Sequence, residues 1–178
     1  MRKVMATVPL RRNAPEVDAD EIIPRLWIGN WRVAQNADWL RTNRITTVFN
    51  CTKQVPFHES IPYQYRVPVD DNLQPAEIKN MEIWAPEIAY KIHREYAAGR
   101  RILVHCHAGI QRSATAVAFF LIIFTGRPLI QIMYMIQSHR PITFRPTPNF
   151  APALRAFEEQ VMTDLLPHRP ATPMRLLT

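Results

Sequence analysis

The 178-residue sequence predicts an α/β domain, a central, mostly parallel sheet flanked by helices. Two observations carry that prediction. Short β-branched, apolar segments alternate with longer segments of helical period, and the last apolar strand runs into a loop and then a long apolar helix. Hydrophobic residues make up 47% of the chain, enough for one core of ordinary size.

The domain is expected over residues 20–166, between an N-terminal tail, 1–19, without an apolar period and a C-terminal tail, 167–178, rich in proline and basic residues. Leu26-Trp27-Ile28 before Gly29-Asn30 predicts a short strand ending in a turn, and 33–43 a helix. Residues 46–52 and 63–69 are β-branched or apolar and predict two more strands, the second stopped by Asp70-Asp71-Asn72. Ile102-Leu103-Val104-His105 predicts another. Over 75–98, Ala85, Ile88, Ala89, Ile92 and Tyr96 share one helical face, and Pro86 is expected to divide the segment into a short helix and a main one ended by Gly99. Helices over 112–125, 128–138 and 149–166 complete the domain, with no internal repeat.

The formal net charge of +7 marks a chain attracted to anions, and nucleic acid, acidic membrane and phosphorylated protein all qualify. Arg11, Arg12, Arg100, Arg101, Arg140, Arg145 and Arg155 are scattered, which argues against a dedicated nucleic-acid arm and leaves nucleic acid a disfavoured partner, not an excluded one. The start MRKVMATVPLRR lacks the apolar region of a signal peptide and the serines of a transit peptide. The longest apolar stretch, 114–125, is far short of the roughly 20 residues that span a bilayer, so it reads as a core helix and no membrane span is expected. Two cysteines, Cys51 and Cys106, are too few for a disulfide framework and stand in no metal-ligand spacing; they predict a reducing compartment, cytoplasmic or nuclear. His58, His93, His139 and His168 show no metal spacing either, and neither metal nor cofactor is expected. No feature of the sequence sets an oligomeric state.

The chemistry is concentrated in Val104-His105-Cys106-His107-Ala108-Gly109-Ile110-Gln111-Arg112-Ser113, which follows a strand and opens a helix. Such a loop turns backbone N–H groups inward as an anion nest, backed by the positive end of the helix dipole. A cysteine there is favoured as thiolate, with a pKa brought from about 8.5 into the range of ~3.5–7.5. Arg112 offers a planar fork for two phosphoryl oxygens, Gly109 frees the loop to bend around the anion, and Ser113 can hydrogen-bond the sulfur as it leaves. His105 is expected to bond the loop backbone instead of transferring protons. The plainer reading, a buried strand-end cysteine, fits poorly, because His, Cys, Gly, Arg and Ser at these five spacings arise by chance at about one start in a million or fewer.

H-C-x-x-G-x-x-R-S resembles the signature of the protein tyrosine phosphatase superfamily. Ile23-Pro24-Arg25-Leu26-Trp27-Ile28-Gly29, Ile45-Thr46-Thr47-Val48-Phe49-Asn50, Val67-Pro68-Val69-Asp70-Asp71 and Pro148-Asn149-Phe150 are similar to successive landmarks of the small dual-specificity phosphatases, over roughly residues 20–162. The resemblance implies a dual-specificity-phosphatase-like fold and metal-free hydrolysis of phosphotyrosine and phosphoserine or phosphothreonine in protein substrates, through a phosphocysteine intermediate. It implies Cys106 as nucleophile, Arg112 as phosphate clamp, and His107, Ala108, Gly109, Ile110 and Gln111 as the substrate-binding loop.

A departing side-chain oxygen needs a proton, so a carboxylic acid must face the nest. Asp70 and Asp71 are the candidates, with Glu77 a distant third, and similarity to the family's Val-Pro-Val-x-Asp pattern implies Asp71; a turn-forming role is the plainer reading of either. Arg140 resembles an arginine that lines a second phosphate site in some family members, against a solvated helix-end arginine, with Arg145 next in line. Cys51 ends a strand expected beside 102–105, so both cysteines should reach one sheet edge, where oxidation can join them reversibly; an inert core thiol is the commoner meaning. Rival functions are hydrolysis of RNA 5′-triphosphate ends or phosphoinositides, which a loop where only His107 could be charged disfavours, a non-catalytic phosphate-binding module, and a rhodanese-like sulfur carrier, which needs neither the upstream aspartate nor the Arg-Ser pair.

Overall fold

The structure, a computed structural model, describes residues 17–165. Five strands, β1 (Ala19–Ile23), β2 (Leu26–Gly29), β3 (Thr47–Asn50), β4 (Tyr63–Arg66) and β5 (Ile102–His105), form one sheet in the order β1-β2-β5-β3-β4. All pairs are parallel except β1 with β2, so the sheet is mostly parallel as expected, with an antiparallel edge that the polar Asp20-Glu21 pair concealed in the sequence. Gly29, His105, Asn50 and Arg66 are in register across four strands. The loops leaving their carboxyl ends therefore start level, and that edge is where open α/β sheets bind ligands.

Side chains alternate across the sheet with a period of two. Trp27, Val48 and Leu103 pack with Val33 and Leu40 on one face, while Leu26, Ile28, Phe49, Ile102 and Val104 join the main core on the other. The first face is covered by α1 (Trp31–Ala34) and α2 (Ala37–Thr42), where a single helix over 33–43 was expected. Asn36 divides it: in extended conformation, its side chain accepts from the Trp39 amide and caps α2, as Asn30 caps α1 from Arg32 and Val33.

The opposite face carries α3 (Pro75–Ala97), α4 (Arg112–Thr125), α5 (Leu129–His139) and α6 (Ala151–Gln160), the last continued by a π-helical turn, Val161–Leu165. α4 is the hub, buried from Arg112 to Ile122. Each of its large apolar side chains contributes about 1.5–3 kcal/mol by leaving water, and together they hold the loop that feeds the helix. No helix among the described residues is long and apolar enough to cross a membrane.

Three element bounds differ from expectation for local reasons. β3 ends at Asn50 because its side chain accepts from Thr52 N and Oγ1 and turns the chain. β4 ends at Arg66; Val67 N still donates to Asn50 O, but Pro68 has no amide proton with which to continue the ladder. α3 is not divided at Pro86, which points to solvent while Met81, Ala85, Ile88, Ala89 and Ile92 bury one continuous face. Packing of that face outweighs the lost intrahelical bond. Pro86→Ala is therefore expected to stabilise the protein by about 1–3 kcal/mol, since it restores a donor and removes no packed group. Urea unfolding with an unchanged slope checks this; no gain means the helix already relieves the clash elsewhere.

Candidate active site

Residues 106–111 join β5 to α4, and their backbone is tied from outside. The carbonyl of His107 accepts from Trp31 N at 3.1 Å, that of Gly109 from Arg140 Nε at 2.8 Å, and that of Ile110 from Phe144 N at 3.0 Å. With these carbonyls held outward, loop N–H groups face inward: Gly109 N lies 3.2 Å from Cys106 Sγ. Gly109 has φ +70, and a Cβ there would sit 2.7 Å from the Gly29 backbone, so the nest requires glycine for conformation and for space.

Cys106 is 2% exposed. Burial is the largest influence on its thiol and pushes the pKa up. The Arg112 charge, the Ser113 hydroxyl at 3.3 Å and the amides of Ser113 and Ile110 together outweigh it and hold the group below its ordinary value. Neighbouring groups stay neutral: burial drives His105 down to about 4, and its Nδ1 lies 3.3 Å from the Cys106 carbonyl, the backbone role expected of it. Cys51, at the end of β3, donates its amide to His105 O at 2.8 Å. Both cysteines are free and buried, and the Cys51 thiol is pushed up by burial and then by Cys106, which leaves it a neutral thiol.

Arg112 is 8% exposed; Nη1 donates to Val69 O at 3.1 Å, and Nε is buried with no partner among the described residues. The bond to Val69 orients the guanidinium, and Nε supplies a donor suited to a phosphoryl oxygen. Arg112 and His107 line an open cleft of about 430 Å³ with Asp70, Asp71, Asn72, Thr52, Gln54 and Val55. A larger groove of about 630 Å³ runs along α5, but Arg127 is its sole charged lining residue among the described residues.

The three candidate acids differ in their partners. Asp70 Oδ2 pairs with Lys53 Nζ at 2.8 Å and Asp70 N donates to Glu77 Oε2 at 2.9 Å. Glu77 is held below the usual carboxylate range by the hydrogen bond from Lys53 and then by the Asp70 amide, so it is ionised. Asp71 makes neither contact; its Oδ1 accepts from Asn149 Nδ2 at 2.8 Å.

Two expected substrate contacts are corrected. Arg140 is 1% exposed and lies behind the loop, bonded to Gly109 O, to Val17 O at 2.9 Å and to Asp20 Oδ2 at 2.6 Å, so it braces the nest from outside instead of lining a second phosphate site. Gln111 is 4% exposed and turns away from the cleft, donating to Arg145 O and Thr147 O and accepting from Asn149 N. Ala108 and Ile110 are partly exposed on the loop, and Ile110 offers its amide. Sequence reasoning missed the wall formed by Thr52, Gln54, Val55 and Asn72, and gave Asn149 no role although its motif was noticed.

The family model for the dual specificity phosphatase catalytic domain matches residues 26–160, which include the whole nest and its cleft. The chain belongs to this family. It is 33% identical over 154 residues to dual specificity protein phosphatase 4 of Rattus norvegicus, covering 86% of this chain and 38% of that protein. It is 35% identical over 149 residues to dual specificity protein phosphatase 1 of Homo sapiens, with 83% and 38% covered. The chain thus spans well under half the length of these curated relatives. Among solved structures it is similar to human DUSP28, with TM-score 0.69, 26% identity, and 82% of this chain and 96% of that chain covered. Similarity to DUSP15 has TM-score 0.65 and 30% identity, with 80% and 86% covered.

The balance around Cys106 yields a pH prediction. With Cys106 as the expected nucleophile the thiolate would be the reactive form, and the acid limb of kcat/KM would follow Cys106 ionisation in the free protein. The Ser113 hydroxyl favours the thiolate; removing it in Ser113→Ala raises the Cys106 pKa and moves that limb to higher pH. A pH profile measured on an activated aryl phosphate checks this, and an unmoved limb means that the hydroxyl does not act on the thiolate.

Proposed function

We propose that this chain is a protein phosphatase that hydrolyses phosphotyrosine and phosphoserine or phosphothreonine through a phosphocysteine intermediate. The observation that carries the reading is one cleft lined by Asp71 and by an oriented Arg112 with a free Nε, with His107 of the cleft wall directly following the buried, thiolate-favouring Cys106 whose ionisation Arg112 supports. In the first step Cys106 Sγ attacks phosphorus, the bond to the substrate oxygen breaks, and Asp71 gives that oxygen its proton. Arg112 and the loop amides hold the three phosphoryl oxygens as charge redistributes. In the second step water attacks the phosphocysteine, Asp71 takes the proton, and sulfur leaves as a thiolate met by the Ser113 hydroxyl.

Asp71 is favoured over Asp70 by its freedom from the Lys53 pair, and over Glu77 because that carboxylate is committed to Lys53 and the loop backbone. Protein substrates are favoured over polyphosphorylated lipids and RNA 5′-triphosphates by the loop itself: His107, Ala108, Ile110 and Gln111 include no lysine or arginine, and Gln111 faces away from the cleft. The presence of nucleophile, clamp and acid argues against a binding-only module. The partners on this reading are phosphorylated proteins.

Cys106→Ser is expected to abolish turnover of phosphopeptides while retaining binding of inorganic phosphate, and Arg112→Lys to lose most activity, because a point charge cannot replace the planar fork. Asp71→Asn should lower kcat on a phosphotyrosyl peptide by roughly 10²–10⁴, with Asp70→Asn much less affected. Release of phosphate from an inositol lipid or an RNA end but not from phosphopeptides overturns the substrate class; a larger loss in Asp70→Asn moves the acid to that residue.

A further inference from the structure

Asp71 is half-buried where its loop begins to emerge into solvent, and its one hydrogen bond among the described residues comes from far along the chain, from Asn149 Nδ2 to Oδ1 at 2.8 Å. The amide is not free to turn. Asn149 N donates to Gln111 Oε1 at 3.0 Å, and Gln111 Nε2 donates to Arg145 O at 3.0 Å and Thr147 O at 2.9 Å. Gln111 itself belongs to the loop that forms the phosphate nest and precedes Arg112. On the other side of Asn149, Phe150 is 1% exposed in the main core. The side chain opposite Asp71 is thus clamped between the nest and the core.

A carboxylic acid has two oxygens, and a proton donor works only if the protonated one faces the leaving group. The Asn149 N–H fills Oδ1, so the acidic proton belongs on Oδ2, which has no partner among the described residues. The amide nitrogen faces Asp71 here, and once Asp71 has given up its proton the reverse orientation would set the amide oxygen against a carboxylate. We propose that Asn149 is a positioning residue for the general acid: it assigns the proton to Oδ2 of Asp71, and through Gln111 it keeps acid and phosphate nest in one frame. The proposal rests on Asp71 being the acid.

The test compares two aryl phosphates whose leaving groups differ in their need for a proton. Phenyl phosphate needs the acid strongly; difluoromethylumbelliferyl phosphate, with a far more acidic leaving group, needs it little. Asn149→Ala is expected to lower kcat for phenyl phosphate by roughly 10- to 100-fold, the scale of a misplaced catalytic group, and to lower it at least about fivefold less for the activated ester. In an Asp71→Asn background the same change should add almost nothing, because the two residues act as one unit. Gln111→Ala should show the same leaving-group bias at smaller amplitude, and it serves as the readout if Asn149→Ala melts early. Equal losses on both esters, or losses that multiply with those of Asp71→Asn, overturn the proposal. If Asp71→Asn alone shows no leaving-group bias, Asp71 is not the acid, and the proposal falls for that separate reason.

Discussion

The outward tethering of the carbonyls of His107, Gly109 and Ile110 is the constraint on which the site depends. Left alone, a six-residue loop would point its carbonyls and amides in both directions, and the anion would meet as many acceptors as donors. Each tether comes from a different part of the fold: Trp31 after β2, Arg140 after α5, and Phe144 beyond it. A neutral tether is worth about 0.5–1.5 kcal/mol net, and the one from Arg140 about 1.5–3 because the donor is charged. A buried arginine needs a counter-charge, and Asp20 on β1 supplies it at 2.6 Å. The antiparallel edge strand, which touches no substrate, thereby takes part in shaping the nest.

With the amides turned inward, the electrostatics of the site follow. A sulfur that is 2% exposed would stay protonated on burial alone, and Arg112, Ser113 and the loop amides reverse that. The same burial keeps His105 neutral and Cys51 a thiol, so of these three neighbouring groups Cys106 is the one whose ionised form Arg112 favours. Val69 links this balance to the loop that carries Asp71, because its carbonyl orients Arg112 two residues before that aspartate. The Arg112 guanidinium and the loop that carries Asp71 are therefore fastened to one another by a side-chain-to-backbone bond.

What the sequence disclosed was what is local. The loop signature spans ten residues, and the run from Ile102 through the nest into α4 keeps its register in the structure, so the strand-loop-helix placement of Cys106, Arg112 and Ser113 was readable directly. Pro86 misled because a local rule was outweighed by the face that Ala85, Ile88 and Ala89 bury. The β1 strand escaped notice because Ile22 is its sole fully buried residue. Arg140 and Gln111 were placed at the substrate because nothing nearby shows which way a side chain turns; their partners lie 31 to 123 positions away for Arg140 and 34 to 38 for Gln111. The contact between Asn149 and Asp71 spans 78 positions and leaves no periodic trace.

The central claim is that phosphate passes through Cys106, and rapid acid quenching of the enzyme during turnover of an aryl phosphate, followed by mass spectrometry of its peptides, tests it most directly. The account predicts one phosphoryl group on the peptide holding Cys106, accumulating further in Ser113→Ala, where the departing sulfur loses its hydrogen bond. Phosphate released with no phosphoenzyme on any time scale of turnover, or a phosphoryl group found on another residue, contradicts it.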